Sequence, residues 1–253
     1  MADLLRIERH DAVAVLVLNR PEARNAVNRD LAEAIVDGVA ACQDAGALVV
    51  TGADPAFCAG IDLRNLGVDL LTELPPFIAA VADSGVPVVA AVNGPAVTGG
   101  LELALACDFI VASDRASFAD THLRVGVYPG PVAVDLPRRV GIARAREMSL
   151  TGNFVDATEA LRIGLANHVV PHERVVPLAV ELASAMAEQD PALVSTLRRD
   201  WFESADAPLD EARRIHAGHA ERAGGTRRGD DIAQRRETVI RRAHTQQATH
   251  PTG

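Results

Sequence analysis

The chain contains no lysine: all 25 of its basic residues are arginine. That absence excludes mechanisms built on a lysine amine, including Schiff-base catalysis, the Ser-Lys pair and the phosphate-gripping lysine of a P-loop. Aromatic residues amount to only 3%, with a single tryptophan and a single tyrosine. Cysteine is scarce as well. Cys42, Cys58 and Cys107 form neither a CxxC pair nor a metal-ligand pattern, and they read as small buried apolar residues in a reducing compartment. Long apolar runs are missing too. "AVAVLVL" (12–18) and "VPVVAAV" (86–92) fall far short of the ~20 residues of a membrane-spanning helix. The opening "MADLLRIERH" has no basic-then-apolar leader pattern, so a cytoplasmic protein with no membrane partner is expected. Basic charge is in deficit, and a net charge of −9 argues against nucleic acid as the partner.

What is present is a chain of 253 residues, 48% hydrophobic, enough for one full domain, or one plus a small appendage. "LLRIER" and "AVAVLVL" flank His10-Asp11 and predict two strands joined by a short turn. Asn28 is placed to cap a helix whose apolar residues Leu31, Ile35 and Val39 recur every four positions. "ALVVTG" (47–52), "VPVVAAV" and "DFIVAS" (108–113) read as further strands, and "LPPFIAAVADSG" as a short helix. Strand, loop and helix alternate to about residue 170, which implies an α/β fold. From Pro171 the pattern is helical only: "ERVVPLAVELASAMAEQ", "PALVSTLRRDWFES" and "PLDEARRIHAGHAERA". The expected organisation is a core over 1–190 and a helical region over 191–253. One more amphipathic helix is expected after Gly225, and about the last 25 residues are expected to be partly disordered.

One stretch carries chemistry. In "NGPAVTGGLELALACDF" (93–109) a glycine pair opens an apolar run that holds a single carboxylate, Glu102. If a helix begins at Gly99, its N–H is an unpaired donor that a ligand can approach closely past the missing side chain. The plainer alternative is a tight strand-to-helix turn with Glu102 complementing the helix dipole. A second loop, "AFCAGIDL" (56–63), also follows a strand through small residues and presents the N–H of Ile61. Two such donors on one oxygen form an oxyanion hole, worth about 3 kcal/mol per donor.

These segments, with "LNRPEARNAVN" (18–28), "FADTHLRVGVYPG" (118–130) and "LTGNFVDATEALRIGLANHVV" (150–170), resemble the crotonase superfamily, the enoyl-CoA hydratase/isomerase family. The match runs in order over roughly residues 10 to 215. The resemblance implies a crotonase-like spiral of repeated ββα units, two roughly perpendicular sheets, and a C-terminal helical region that builds a homotrimer or a dimer of trimers. It implies an acyl-CoA thioester substrate, with no metal and no cofactor beyond the coenzyme A of the substrate itself. By motif position, the N–H groups of Ile61 and Gly99 would hold the thioester oxygen and stabilise an enolate. Arg24 sits where the family often has a basic residue near the CoA phosphates; a solvated loop arginine is the alternative. Ala26, Ala59, Asp62 and Leu63 would line the nucleotide and pantetheine path, with a helix cap as the other role for Asp62. Glu102 falls on one of the two catalytic glutamates of hydratases, and burial would make it a useful base.

The chain departs from the family at the second glutamate, where it carries His122. An imidazole can move a proton near neutral pH, so Glu102 and His122 would form a mixed acid/base pair. The alternative is a hydrogen-bonded pocket wall. Tyr128 lies near the acyl end, where the resemblance places a hydroxyl of decarboxylase members one position along; the favoured reading is a packing residue. The leading expectation is hydration of a trans-2-enoyl-CoA. Decarboxylation, isomerisation or thioester hydrolysis is the alternative raised by His122, and a non-catalytic acyl-CoA binder is the third.

Overall fold

The structure is a computed structural model that describes residues 3–62, 74–224 and Arg236. It divides into two compact units, Met1–Val194 and Ser195–Gly253. In the first unit, β1 (Leu5–His10) turns through Asp11, at φ 50°, into the antiparallel β2 (Val13–Leu18). Parallel to β2 run β3 (Ala47–Gly52) and β4 (Val88–Val92). Next in the chain comes the two-residue β5 (Ala96–Val97), then β6 (Phe109–Ser113), β7 (Ser117–Ala119), β8 (Val155–Asp156) and β9 (His168–Val170). Two sheets result, a six-stranded one in the order β1-β2-β3-β4-β6-β9 and a small one in the order β5-β7-β8.

Strands β2, β3 and β4 are buried along their whole length, as unbroken apolar runs in a parallel sheet require. Their side chains alternate between two faces. Leu16, Leu18, Leu48, Val50, Ala90 and Val92 join the main core, while Val13, Val15, Val17, Val49, Val89 and Ala91 form the opposite layer. The charged, exposed edge strand β1 discourages pairing with a further strand.

Helix α1 (Arg29–Ala41) starts where Asn28 Oδ1 accepts the Leu31 N–H at 3.0 Å, and it buries Leu31, Ile35 and Val39, as the four-residue spacing predicts. Short helices α2 (Phe77–Ala82) and α3 (Gly99–Leu105) follow, then α4 (Val132–Val140), α5 (Ile142–Thr151) and α6 (Ala157–Arg162). Helix α7 (Val175–Ala187) covers the second face of the large sheet through Val175, Ala179 and Ala183. Helices α8 (Pro191–Ser204) and α9 (Leu209–Gly224) complete the described chain. In the second unit Asp200 and Glu203 pair with His216 and His219 at 2.6 and 2.9 Å. The helix and frayed end expected after Gly225 lie outside the described residues, Arg236 apart. No described helix is long and apolar enough to cross a membrane.

Candidate active site

Three chain crossings lie side by side. Cys58 bridges Ala96 in parallel, and β5 pairs in parallel with β7, matching Ala96 with Phe118 and Val97 with Ala119. Parallel neighbours in register bring the residues that follow each strand to the same end. Hence Gly60-Ile61, Thr98-Gly99 and Asp120-Thr121-His122 gather from three distant parts of the sequence.

The Ile61 loop is held on its other side by Val27. The Val27 N–H donates to Gly60 O at 2.8 Å, and the Asp62 N–H donates to Val27 O at 2.9 Å. In this alternation the Ile61 N–H points away from Val27. Helix α3 begins at Gly99, and its first internal bond runs from Glu102 N–H to Thr98 O at 3.0 Å. The N–H groups of its opening residues therefore have no partner within the helix. A methyl group built on Gly99 would stand 3.5 Å from the Ile61 nitrogen, so the two amide groups border one small space. Thr98, just before it, has φ 55° and ψ −114°, a backbone region that a β-branched residue avoids. Its N–H donates to Ala119 O at 2.8 Å, and its hydroxyl meets that of Thr121 at 2.7 Å. These bonds hold the strained residue in place, and strain of this kind clusters at functional sites.

Glu102 lies one turn into α3 and is 4% exposed. Its Oε1 accepts the Val132 N–H, at the start of α4, at 3.2 Å. Burial pushes its carboxyl above the usual range and the nearby Asp120 adds to this, outweighing the opposing pull of the Val132 and Gly130 N–H groups and of His122. Facing it is His122, also buried, with Nε2 at 4.0 Å from Glu102 Oε2. That separation exceeds a hydrogen bond, yet both groups can reach one atom placed against them. His122 Nδ1 contacts Asp120 Oδ1 at 2.7 Å. Burial raises the Asp120 carboxyl, but hydrogen bonds from His122 and the Ser149 hydroxyl outweigh it and hold the group below the usual carboxylate range. The other Asp120 oxygen, Oδ2, is buried without a partner of good geometry.

The enoyl-CoA hydratase/isomerase family model matches residues 8–227. A probable enoyl-CoA hydratase of Rhizobium meliloti is 38% identical over 73% of this chain and 76% of its own length. A crotonyl-CoA hydratase of Syntrophomonas wolfei is 34% identical over 83% and 86%. The crystal structure of an enoyl-CoA hydratase from Bacillus anthracis superposes with a TM-score of 0.87 at 27% identity, covering 93% of this chain and 96% of that one. The chain belongs to the enoyl-CoA hydratase/isomerase family. The fold is the crotonase fold with a helical C-terminal region, as the resemblance implied.

Within this crotonase fold the remaining motif residues take distinct positions. Arg24 is exposed, in the left-handed region at φ 52°, and its carbonyl accepts the Ala59 N–H at 3.0 Å. Ala26 is buried and Ala59 half-buried. Asp62 is turned inward, 3% exposed, with Oδ2 at 3.1 Å from the Arg20 guanidinium. Leu63 lies outside the described residues. Tyr128 does not pack: it is 86% exposed, because its loop, "VGVYPG", runs over the surface between a 3-10 turn and α4. Two residues were passed over in the sequence. Asn25, fully buried at φ 56°, donates to Ala53 O and Ala56 O, each at 2.7 Å, and accepts the Arg20 N–H at 2.9 Å, fastening the Arg24 loop to the Ile61 loop. The other is Asp120. Neither stands out in the sequence: the left-handed backbone of Asn25 and the contact of Asp120 with the His122 ring appear only in the fold.

Proposed function

We propose that this chain hydrates a trans-2-enoyl-CoA to a 3-hydroxyacyl-CoA. The observation that carries the reading is Glu102 facing His122 across 4.0 Å, both buried, beside the amide groups of Ile61 and Gly99. In the reaction the thioester oxygen sits between those two N–H groups, which stabilise the charge that builds on it as the β-carbon is attacked. Glu102, lifted by burial toward neutrality, takes the proton of the attacking water. His122 supplies the second proton transfer in place of the second glutamate of hydratases. Arg24 is the residue that would meet the CoA phosphates, and Ala26, Ala59 and Asp62 would border the nucleotide and pantetheine. No cofactor beyond the coenzyme A of the substrate takes part, and the enzyme works in the cytoplasm.

A second reading rests on His122. An imidazole backed by a carboxylate also suits another enolate-type reaction on the same thioester, or its hydrolysis. Turnover by the purified chain on a small panel of enoyl-, 3-oxo- and saturated acyl-CoA esters separates the two. Hydration that falls about 100-fold or more in Glu102→Gln is the expected result. Hydration unchanged in that variant would remove Glu102 from the chemistry, and binding without any turnover would make the chain an acyl-CoA binder.

A further inference from the structure

Asp120 belongs to none of the segments' assigned roles, yet it is the most deeply buried carboxylate beside the site, at 1% exposure. It sits on the residue following β7, and the turn it opens carries His122. Its Oδ1 lies 2.7 Å from His122 Nδ1 and 3.3 Å from the His122 backbone N. An ionised carboxylate only accepts hydrogen bonds. The ring nitrogen facing it must therefore carry a hydrogen, whatever the charge of the ring. The exchangeable proton of His122 is thereby confined to Nε2, the nitrogen that faces Glu102 Oε2. Free imidazole imposes no such choice. The turn between the two residues is itself anchored, since Thr121 Oγ1 meets Thr98 Oγ1 at 2.7 Å, next to Gly99. Hydroxyl contact, carboxylate contact and strand register thus fix the ring relative to both Glu102 and the Gly99 amide.

We infer that Asp120 is a positioning residue, which selects the His122 tautomer and ring orientation so that Nε2 delivers the proton to the substrate α-carbon. The inference rests on the hydratase reading for the identity of the proton acceptor. The step balances. One O–H bond of water breaks as its proton passes to Glu102, and the oxygen bonds to the β-carbon. The C=C electron pair moves toward the thioester, and the α-carbon then takes the proton from His122 Nε2. Glu102 afterwards returns its proton from Oε2 to Nε2 across the gap, and one water has been added. Among the described residues, the ionisable groups that act on Glu102 are His122 and Asp120 themselves. Asp120 is held ionised for this work by His122 and Ser149 despite its burial.

The test combines kinetics with nitrogen-15 NMR of the His122 ring on the full chain. Asp120→Ala is expected to lower kcat about 100-fold while KM stays within about threefold, since no substrate contact is lost. In a His122→Ala background the same change is expected to cost nothing further, because Asp120 acts through the ring. In the wild type the neutral His122 ring is expected to carry its hydrogen on Nδ1, and in Asp120→Ala that preference is expected to vanish. Equal losses in both backgrounds, or an Nδ1 signature that survives Asp120→Ala, overturns the inference. If the wild type leaves enoyl-CoA untouched, the hydratase reading falls, and the NMR signature alone decides whether Asp120 sets the tautomer. Asp120→Leu, close to aspartate in shape but with no acceptor for the Nδ1 hydrogen, serves if the alanine variant does not fold, and with it the kcat loss in the two backgrounds is decisive.

Discussion

At the scale of single residues, Glu102 shows how stability and chemistry pull apart. Burial raises its carboxyl above the unfolded value, so the folded state binds its proton more tightly than the unfolded chain does. Stability therefore falls as pH rises from the unfolded pKa, about 4.3, through the raised folded one, and the penalty is fully present above it. Glu102→Gln removes that penalty while its amide oxygen can still accept the Val132 N–H. Thermal unfolding at pH 8 is expected to show the variant more stable than wild type, by roughly 2–4 °C if the penalty is ~1 kcal/mol. A lower Tm would mean that the ionised carboxylate stabilises the fold. Asp120 has the opposite sign. Its folded value is depressed, so its contribution is present above the unfolded pKa and is lost as pH falls through the folded one. The sequence made Glu102 legible because a carboxylate stood out inside an apolar run. Asp120 was not legible, since an aspartate in "FADTH" is an ordinary turn residue until β5 and β7 pair and bring Thr98 beside Thr121. Tyr128 misled for the reverse reason: a lone aromatic suggests packing, but among the described residues no element covers it and it stands 86% exposed.

At the scale of elements, the long strands and α1 were readable because burial on two faces, or on one helical stripe, leaves a periodic mark. The two-residue strands β5 and β8 leave no such mark, and β5 is the one that assembles the site. Helices α4 and α5 were hidden by the Pro131 start, the Pro137 interior and the Gly141 break. The join between α3 and the Ile61 loop rests on two glycines with different duties. A methyl on Gly100 would fall 2.0 Å from the Cys58 carbonyl oxygen, a backbone atom that cannot step aside. A methyl on Gly99 would meet the Ile61 loop at 3.5 Å, an ordinary contact, but inside the space between the two amide groups. Gly100→Ala is accordingly expected to destabilise the fold by about 1–3 kcal/mol. Gly99→Ala is expected to keep a near-native unfolding midpoint and to lose turnover by about tenfold or more, through the amide pair. Thermal melts paired with steady-state kinetics distinguish them, and equal Tm losses in both would deny Gly99 any role beyond packing.

At the scale of the whole molecule, the described residues of the second unit bury few apolar side chains. Helices α8 and α9 meet through the pairs Asp200–His216 and Glu203–His219, and Asp200 and His219 are buried polar groups. Meanwhile α8 leaves Leu197 at 43%, Trp201 at 63% and Phe202 at 79% exposure, and α9 begins with Leu209 at 65%. Large exposed apolar side chains on one helix and at the start of the next are a pattern that interfaces between chains share. A net charge of −9 works against nonspecific self-association, so a specific contact is the one expected. The resemblance points to a second and third copy of the same chain as the cover, closed as a trimer or a pair of trimers. Light scattering of the purified chain at micromolar concentration is expected to give three or six times the chain mass. Replacing Trp201 and Phe202 by aspartate is expected to lower that mass, because neither side chain is buried within its own chain and each would bring an unpaired charge into the contact. A wild-type monomer would refute the assembly. An unchanged oligomer in the double variant would move the interface away from α8.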